Sequence, residues 1–98
     1  MTIISFACKD SQELAQGIDN KRTRRLLPKQ LHRSALIKMH ILRAASQLDD
    51  LLQYPGLGLE QLKGNRKSEY SIRINKQYRI CFKWRNGEAC YVMVEDYH

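Results

Sequence analysis

An α+β fold is the class this sequence predicts, and three observations carry it. From Lys29 to about Ser46 there is neither Gly nor Pro, and Ile37, Ile41, Ala44 and Leu48 recur at helical spacing, with Leu31 and Ala35 nearby. Tyr70, Ile72 and Ile74, then Tyr78, Ile80, Phe82 and Trp84, alternate with other residues at the two-residue period of half-buried strands. Asn86-Gly87, a strong hairpin dipeptide, joins the second of these runs to a third, Ala89 to Glu95. At 98 residues the chain reads as a single domain, 1–98, with one modest core.

The elements follow in order. Thr2 to Phe6 reads as a short strand, and Asp10-Ser11-Gln-Glu13 supplies helix-start chemistry ahead of Leu14 and Ala15. Lys21-Arg22-Thr-Arg24-Arg25 reads as a basic connector to the main helix. Ser46-Gln-Leu-Asp49 restarts a short helical turn carrying Leu48, Leu51 and Leu52 until Tyr54-Pro55-Gly56 stops it, so two helices form one layer. A loop from Gly56 to Gly64 precedes the strands, and Asn75-Lys76-Gln77 turns the first into the second. The result is an N-terminal strand, two helices and an antiparallel C-terminal meander, with Ile72, Ile74, Ile80 and Phe82 toward the helices and Arg73, Arg79 and Lys83 away from them.

Seventeen Lys and Arg against ten Asp and Glu give a formal charge of +7, which favours polyanionic partners such as nucleic acid. A solvated basic surface would account for the same number, so placement has to decide. The start Met1-Thr-Ile-Ile-Ser-Phe6 lacks the pattern of a secretory signal and no stretch is apolar enough to span a bilayer, so a cytoplasmic protein without a membrane partner is expected. Cys8, Cys81 and Cys90 have no CxxC spacing and read as buried free thiols, and His32 and His40 lack the spacing of a helical metal pair, so neither a metal site nor a cofactor is expected.

The chemistry concentrates in the C-terminal half. With a three-residue turn at 75 to 77, Arg73 stands across from Arg79, a like-charge pair that weakens a sheet by some tenths of a kcal/mol and that folding alone would not choose. Two guanidiniums side by side make a multi-donor receptor for phosphate, unless each pairs with a carboxylate such as Glu69 or Asp96. Lys63, beside Gly64, and Arg66 can bring further cations to that face, as can Lys83. Arg22, Arg24 and Arg25 of the basic run, with Arg33, are candidate contacts to RNA or to an acidic partner. The chain as given ends Val94-Glu-Asp-Tyr-His98, placing a carboxylate, a phenol and an imidazole together. Metal-independent RNA cleavage needs a base for the 2′-hydroxyl, cations on the phosphorane and an acid for the leaving oxygen. His98, Arg79 with Lys63, and Tyr97 or Asp96 are suited to those three tasks, although a terminal His is more often only a surface residue.

The run Leu62-Lys-Gly-Asn-Arg66, then Tyr70-Ser-Ile-Arg-Ile-Asn-Lys-Gln-Tyr-Arg-Ile-Cys-Phe-Lys-Trp84, closed by Val94-Glu-Asp-Tyr-His98, resembles the HigB, or plasmid-maintenance-killer, toxins over nearly the whole chain. The resemblance implies the RelE-like α+β fold and metal-independent, ribosome-dependent cleavage of messenger RNA, which arrests translation and growth. It implies a helix-turn-helix antitoxin partner of the HigA type, with operator DNA reached through the antitoxin complex. By the same resemblance Lys63, Arg79, Asp96, Tyr97 and His98 fall on catalytic or RNA-contacting positions. The sequence departs from the pattern at Glu60, where some members carry a His three residues before the lysine. Glu60 or His98 is then the base, and such groups are worth about 10² to 10⁴ in rate. Two rival readings keep the fold but not the chemistry: a ParE-like toxin acting on gyrase, against which the Asp96-Tyr-His98 ending argues, and a non-catalytic basic RNA-binding module.

Overall fold

In a computed structural model, which describes residues 5–96, three α-helices pack on one face of a four-stranded sheet. The helices are α1 (Lys9–Ala15), α2 (Lys21–Leu26) and α3 (His32–Ala44); the strands are β1 (Glu60–Gln61), β2 (Glu69–Arg73), β3 (Tyr78–Arg85) and β4 (Glu88–Asp96). Every pairing in the order β1-β2-β3-β4 is antiparallel. Among the described residues no helix is long and apolar enough to cross a membrane.

The meander forms as its periodicity predicts. Ile72, Ile74, Ile80 and Phe82 all reach the core, where they meet Leu14, Leu27, Met39, Leu42 and Leu51 from the helical layer and Val92 and Val94 from β4. The Asn75 side chain closes the first turn by accepting from the backbone N–H groups of Gln77 (2.9 Å) and Tyr78 (2.8 Å), and the register sets Arg73 directly across from Arg79. Asn86 and Gly87 both take positive φ, 52° and 77°, as a two-residue hairpin turn requires.

The helical layer departs from expectation in two places. The basic run is a helix, not a connector. Asn20 accepts from the Thr23 N–H (2.9 Å), while the Thr23 hydroxyl accepts from the Asn20 N–H (2.9 Å), and this reciprocal cap starts α2. On α3 the buried stripe is Ala35, Met39 and Leu42, whereas Ile37 is 53% exposed and Ala44 is also outside. Ile41, with Leu31 and Leu48 at either end, does pack against the core as the spacing predicts, so the buried face is turned only in part, away from Ile37 and Ala44. His32 ties α3 to the end of α2, its Nε2 lying 2.7 Å from the Leu27 carbonyl, a structural role. The short turn after α3 forms as a 3-10 segment, Leu48–Gln53, capped by Asp50, whose carboxylate accepts from the backbone of Ser46 and Gln47.

Of the expected N-terminal strand, Thr2 to Ile4 lie outside the described residues. Phe6 makes a single parallel bridge with Val92, and the Ala7 N–H donates to the Val92 carbonyl at 2.9 Å. The N-terminal segment thus covers the outer edge of β4, with Ser11 Oγ of α1 accepting from the Val94 N–H at 3.0 Å. The strand β1 was expected as loop; two residues long, it has no periodicity of its own to reveal it.

Two predictions follow from this packing. A Cβ at Gly87 would lie 3.0 Å from the Ser46 carbonyl and would face a positive φ. Gly87→Ala should therefore lose about 1–2 kcal/mol or more of stability, read as a lower thermal midpoint; an unchanged midpoint would contradict the packing. Arg24 holds the Asp19 carboxyl at about 2 against its ordinary 3.8, and Arg22 holds Glu13 below its ordinary value. Depressed carboxyl values stabilise the fold above the unfolded value and lose that contribution as pH falls through the folded one. Denaturant midpoints should therefore drop between about pH 4 and pH 2, and Asp19→Asn should flatten part of that drop.

Candidate active site

The outer face of the sheet is built by alternation. Arg79, Cys81, Lys83 and Arg85 on β3 point away from the core-facing Ile80, Phe82 and Trp84. This face is not the uniformly cationic surface its arginines suggested, because Glu60, Glu69 and Glu95 share it.

Arg79 is its deepest member, with 7% of its side chain accessible. A buried guanidinium is stable only if its donors are satisfied. Nε donates to Ser71 Oγ at 2.7 Å, and Nη2 donates to the Gly58 carbonyl at 2.5 Å and more weakly to the Ser71 carbonyl at 3.3 Å. The Glu60 carboxylate lies 3.7 Å from Nη2, brought there because β1 pairs Glu60 with Ser71. Gly58 takes φ +54°, a conformation that favours glycine, and the Arg73 guanidinium passes close to it, its atoms 3.7–3.8 Å from where a Cβ would be, an ordinary contact. Two guanidiniums therefore converge on one glycine. Arg73 is exposed, and no carboxylate of the described residues pairs with it.

Glu60 and Lys63 are both exposed and, with Gln61, Leu62 and Arg66, line a depression of about 390 Å3 beside β1. Lys63 thus lies next to the carboxylate that contacts Arg79. Asp96 ends β4 one residue beyond Glu95, so the pleat turns it to the opposite side from Glu95, where it accepts from Gln77 Nε2 at 3.0 Å. Tyr97 and His98 lie outside the described residues.

Arg66, expected as an RNA contact, has a different occupation. Its guanidinium donates to both oxygens of Glu69 (2.8 and 3.2 Å) and to both oxygens of Glu95, one of them at 2.9 Å. Two carboxylates against one cation leave the cluster acidic rather than free to hold phosphate. Arg66 in turn holds the Glu95 carboxyl below its ordinary value. Beneath them burial, reinforced by the Glu95 carboxylate, pushes the Cys81 thiol up to about 12; Cys90 is buried as well, whereas Cys8, expected inside, is exposed at the start of α1. Arg22 and Arg24 are likewise engaged, Arg22 with both oxygens of Glu13 (2.9 Å each) and Arg24 with Asp19 at 2.6 Å; Arg25 is exposed. Lys83 lies over the ring of Tyr91. Among the described residues no three His, Cys, Asp or Glu side chains come together as metal ligands.

Sequence reading missed Ser71 and Gly58, the acceptors that hold Arg79, and Glu95, the partner of Arg66. A serine in a strand of large residues was the one available signal for the first, whereas nothing local marks the other two.

Residues 7–98 match the HigB-like toxin family, described as RelE-like toxin of type II toxin-antitoxin system HigB. Toxin HigB-1 of Vibrio cholerae serotype O1 is 41% identical over 76 residues, 78% of this chain and 80% of that one. Endoribonuclease HigB of Proteus vulgaris is 42% identical over 40 residues, 41% of this chain and 44% of its own length. A sheet of this order under a helical layer, with a buried arginine on its outer face and a family match across the described residues, has one reading: the chain belongs to the HigB-like toxins, the RelE-like toxins of type II toxin-antitoxin systems.

Proposed function

We propose that this toxin is an endoribonuclease that cleaves messenger RNA on the ribosome, with Arg79 and Lys63 as its phosphate-stabilising cations. The observation that carries the proposal is the pairing of a buried, fully oriented guanidinium with a carboxylate at 3.7 Å, beside an exposed lysine in an open depression. The Proteus relative named an endoribonuclease supports the same activity, and the family implies a protein antitoxin, which we take to be of the helix-turn-helix HigA type acting on operator DNA with the toxin.

The chemistry runs as a transesterification. A base removes the 2′-hydroxyl proton, the oxyanion attacks the adjacent phosphorus, and the P–O5′ bond breaks to leave a 2′,3′-cyclic phosphate and a 5′-hydroxyl. Arg79 and Lys63 stabilise the charge that develops on the phosphorane, and Arg73 binds the phosphate in the ground state. Glu60 and His98 compete for the role of base. If Glu60 takes the proton it becomes neutral, and its hold on Arg79 weakens at the moment the phosphorane needs that charge. Tyr97 stacks on a base or donates the proton to the leaving oxygen, and Asp96, which faces away from Arg79 toward Gln77, acts in orientation of its neighbours rather than on the phosphate. The net charge of +7 suits approach to a ribosomal RNA surface.

Primer extension on a translated reporter after brief induction tests the reading. The native chain should give codon-phased cuts only when the message is translated, and Arg79→Ala should remove them while the protein stays folded. Growth arrest with intact messages would instead favour a protein target. Glu60→Gln and His98→Ala separate the two bases: the group whose loss lowers the rate about 10²- to 10⁴-fold is the one that takes the proton.

A further inference from the structure

Tyr91 is held in a backbone conformation that a tyrosine in a strand rarely takes. Its φ is +52°, at the irregularity where the β3–β4 register shifts between Cys81 and Lys83. Ala89 and Val92 both reach the core, and this odd separation leaves Cys90 and Tyr91 together on the outer side. The distortion is fixed from the N-terminal segment: the Tyr91 N–H donates to Ser5 Oγ at 2.9 Å and the Val92 N–H to the Ser5 carbonyl at 3.1 Å. Backbone preference alone would select glycine here.

The bulge displays an aromatic ring close to two cations. The ring is on a residue 50% exposed, with Lys83 Nζ 5.2 Å and Arg85 Cζ 5.7 Å from its centroid. The ring is no part of the core, which Ala89 and Val92 enter from either side of it along β4. Of the acidic groups that face these cations, Glu69 stands across from Lys83 but is held by Arg66, and Glu88 stands across from Arg85 and tempers its charge. Lys83 lies on the same face as Arg79, four residues along β3 and so about 13 Å away, a distance that one strand of nucleic acid crossing the face can span.

We propose that Tyr91, with Lys83 and Arg85, is a stacking platform for an unpaired base of single-stranded RNA, its two cations seating the neighbouring phosphates. Every nucleobase offers a flat π-face to such a ring, so the platform grips RNA without reading its sequence. The proposal rests on the ribonuclease reading in that the RNA is the enzyme's substrate.

Fluorescence anisotropy with a labelled single-stranded 2′-O-methyl RNA, which lacks the attacking hydroxyl, reads binding apart from cleavage. Tyr91→Ala and Tyr91→Gly should weaken binding about 5- to 100-fold, and Tyr91→Phe should retain it. Tyr91→Gly should melt no lower than the native protein, because glycine suits the positive φ, which separates lost stacking from lost folding. Replacing Lys83 and Arg85 together by Gln should lower the slope of log affinity against log salt by about 1.4, roughly 0.7 for each phosphate contact on a single strand. Native-like RNA binding by both Tyr91→Ala and Tyr91→Gly would overturn the platform and leave this face to a protein partner. Tyr91-sensitive binding by a chain that makes no codon-phased cuts would keep the platform and remove the ribonuclease reading.

Discussion

A guanidinium inside a protein must find acceptors, and the needs of Arg79 organise one side of this molecule. Ser71 on the neighbouring strand takes one donor, and the Gly58 carbonyl, from a segment folded back over β2, takes another. That segment then continues into β1, whose two residues bring Glu60 against Arg79 and set Lys63 at the rim of the depression. A group held in this way responds to a developing negative charge without first reorganising, the property that electrostatic catalysis requires.

The charge of the chain is more selective than its sum. Several arginines of the sequence are spent on structure: Arg22 and Arg24 lock α2 to Glu13 and Asp19, and Arg66 bridges Glu69 and Glu95 above Cys81. What remains turned outward on the sheet is a smaller set, with Arg73 and Lys63 at one end and Lys83 and Arg85 around Tyr91 at the other. Between the two ends lies the Arg66 cluster, where the carboxylates outnumber the guanidinium. Such a pattern directs a polyanion to the two ends rather than attracting it everywhere.

The edge of β4 links these parts. Ser5, Ala7 and Ser11 occupy its hydrogen-bonding groups, which shields the strand from edge-to-edge association, and the Ser5 and Ala7 contacts hold the Tyr91 bulge in place. One short N-terminal segment therefore protects the sheet and shapes its outer face.

The sequence by itself determined the elements whose signal is local. The period of two in Tyr70–Ile74 and Tyr78–Trp84, the Asn75 and Asn86-Gly87 turns, and hence the Arg73–Arg79 register are all written within the eighteen residues from Tyr70 to Gly87. The Asn20…Thr23 cap of α2 was equally local, though charge in the same run masked it. Membership of the HigB-like family was legible in the ordered series of motifs from Leu62 to His98. Tertiary structure alone decided which side of α3 is buried, that Glu60 and Gln61 pair as a strand, that Arg79 is inside and Arg73 outside, and that Arg66 meets Glu95 across 29 positions of sequence. The reason is physical: periodicity and turn chemistry act between neighbours, whereas the partner of a charge and the face of a helix are set by whatever the rest of the chain brings against them, which no local pattern encodes.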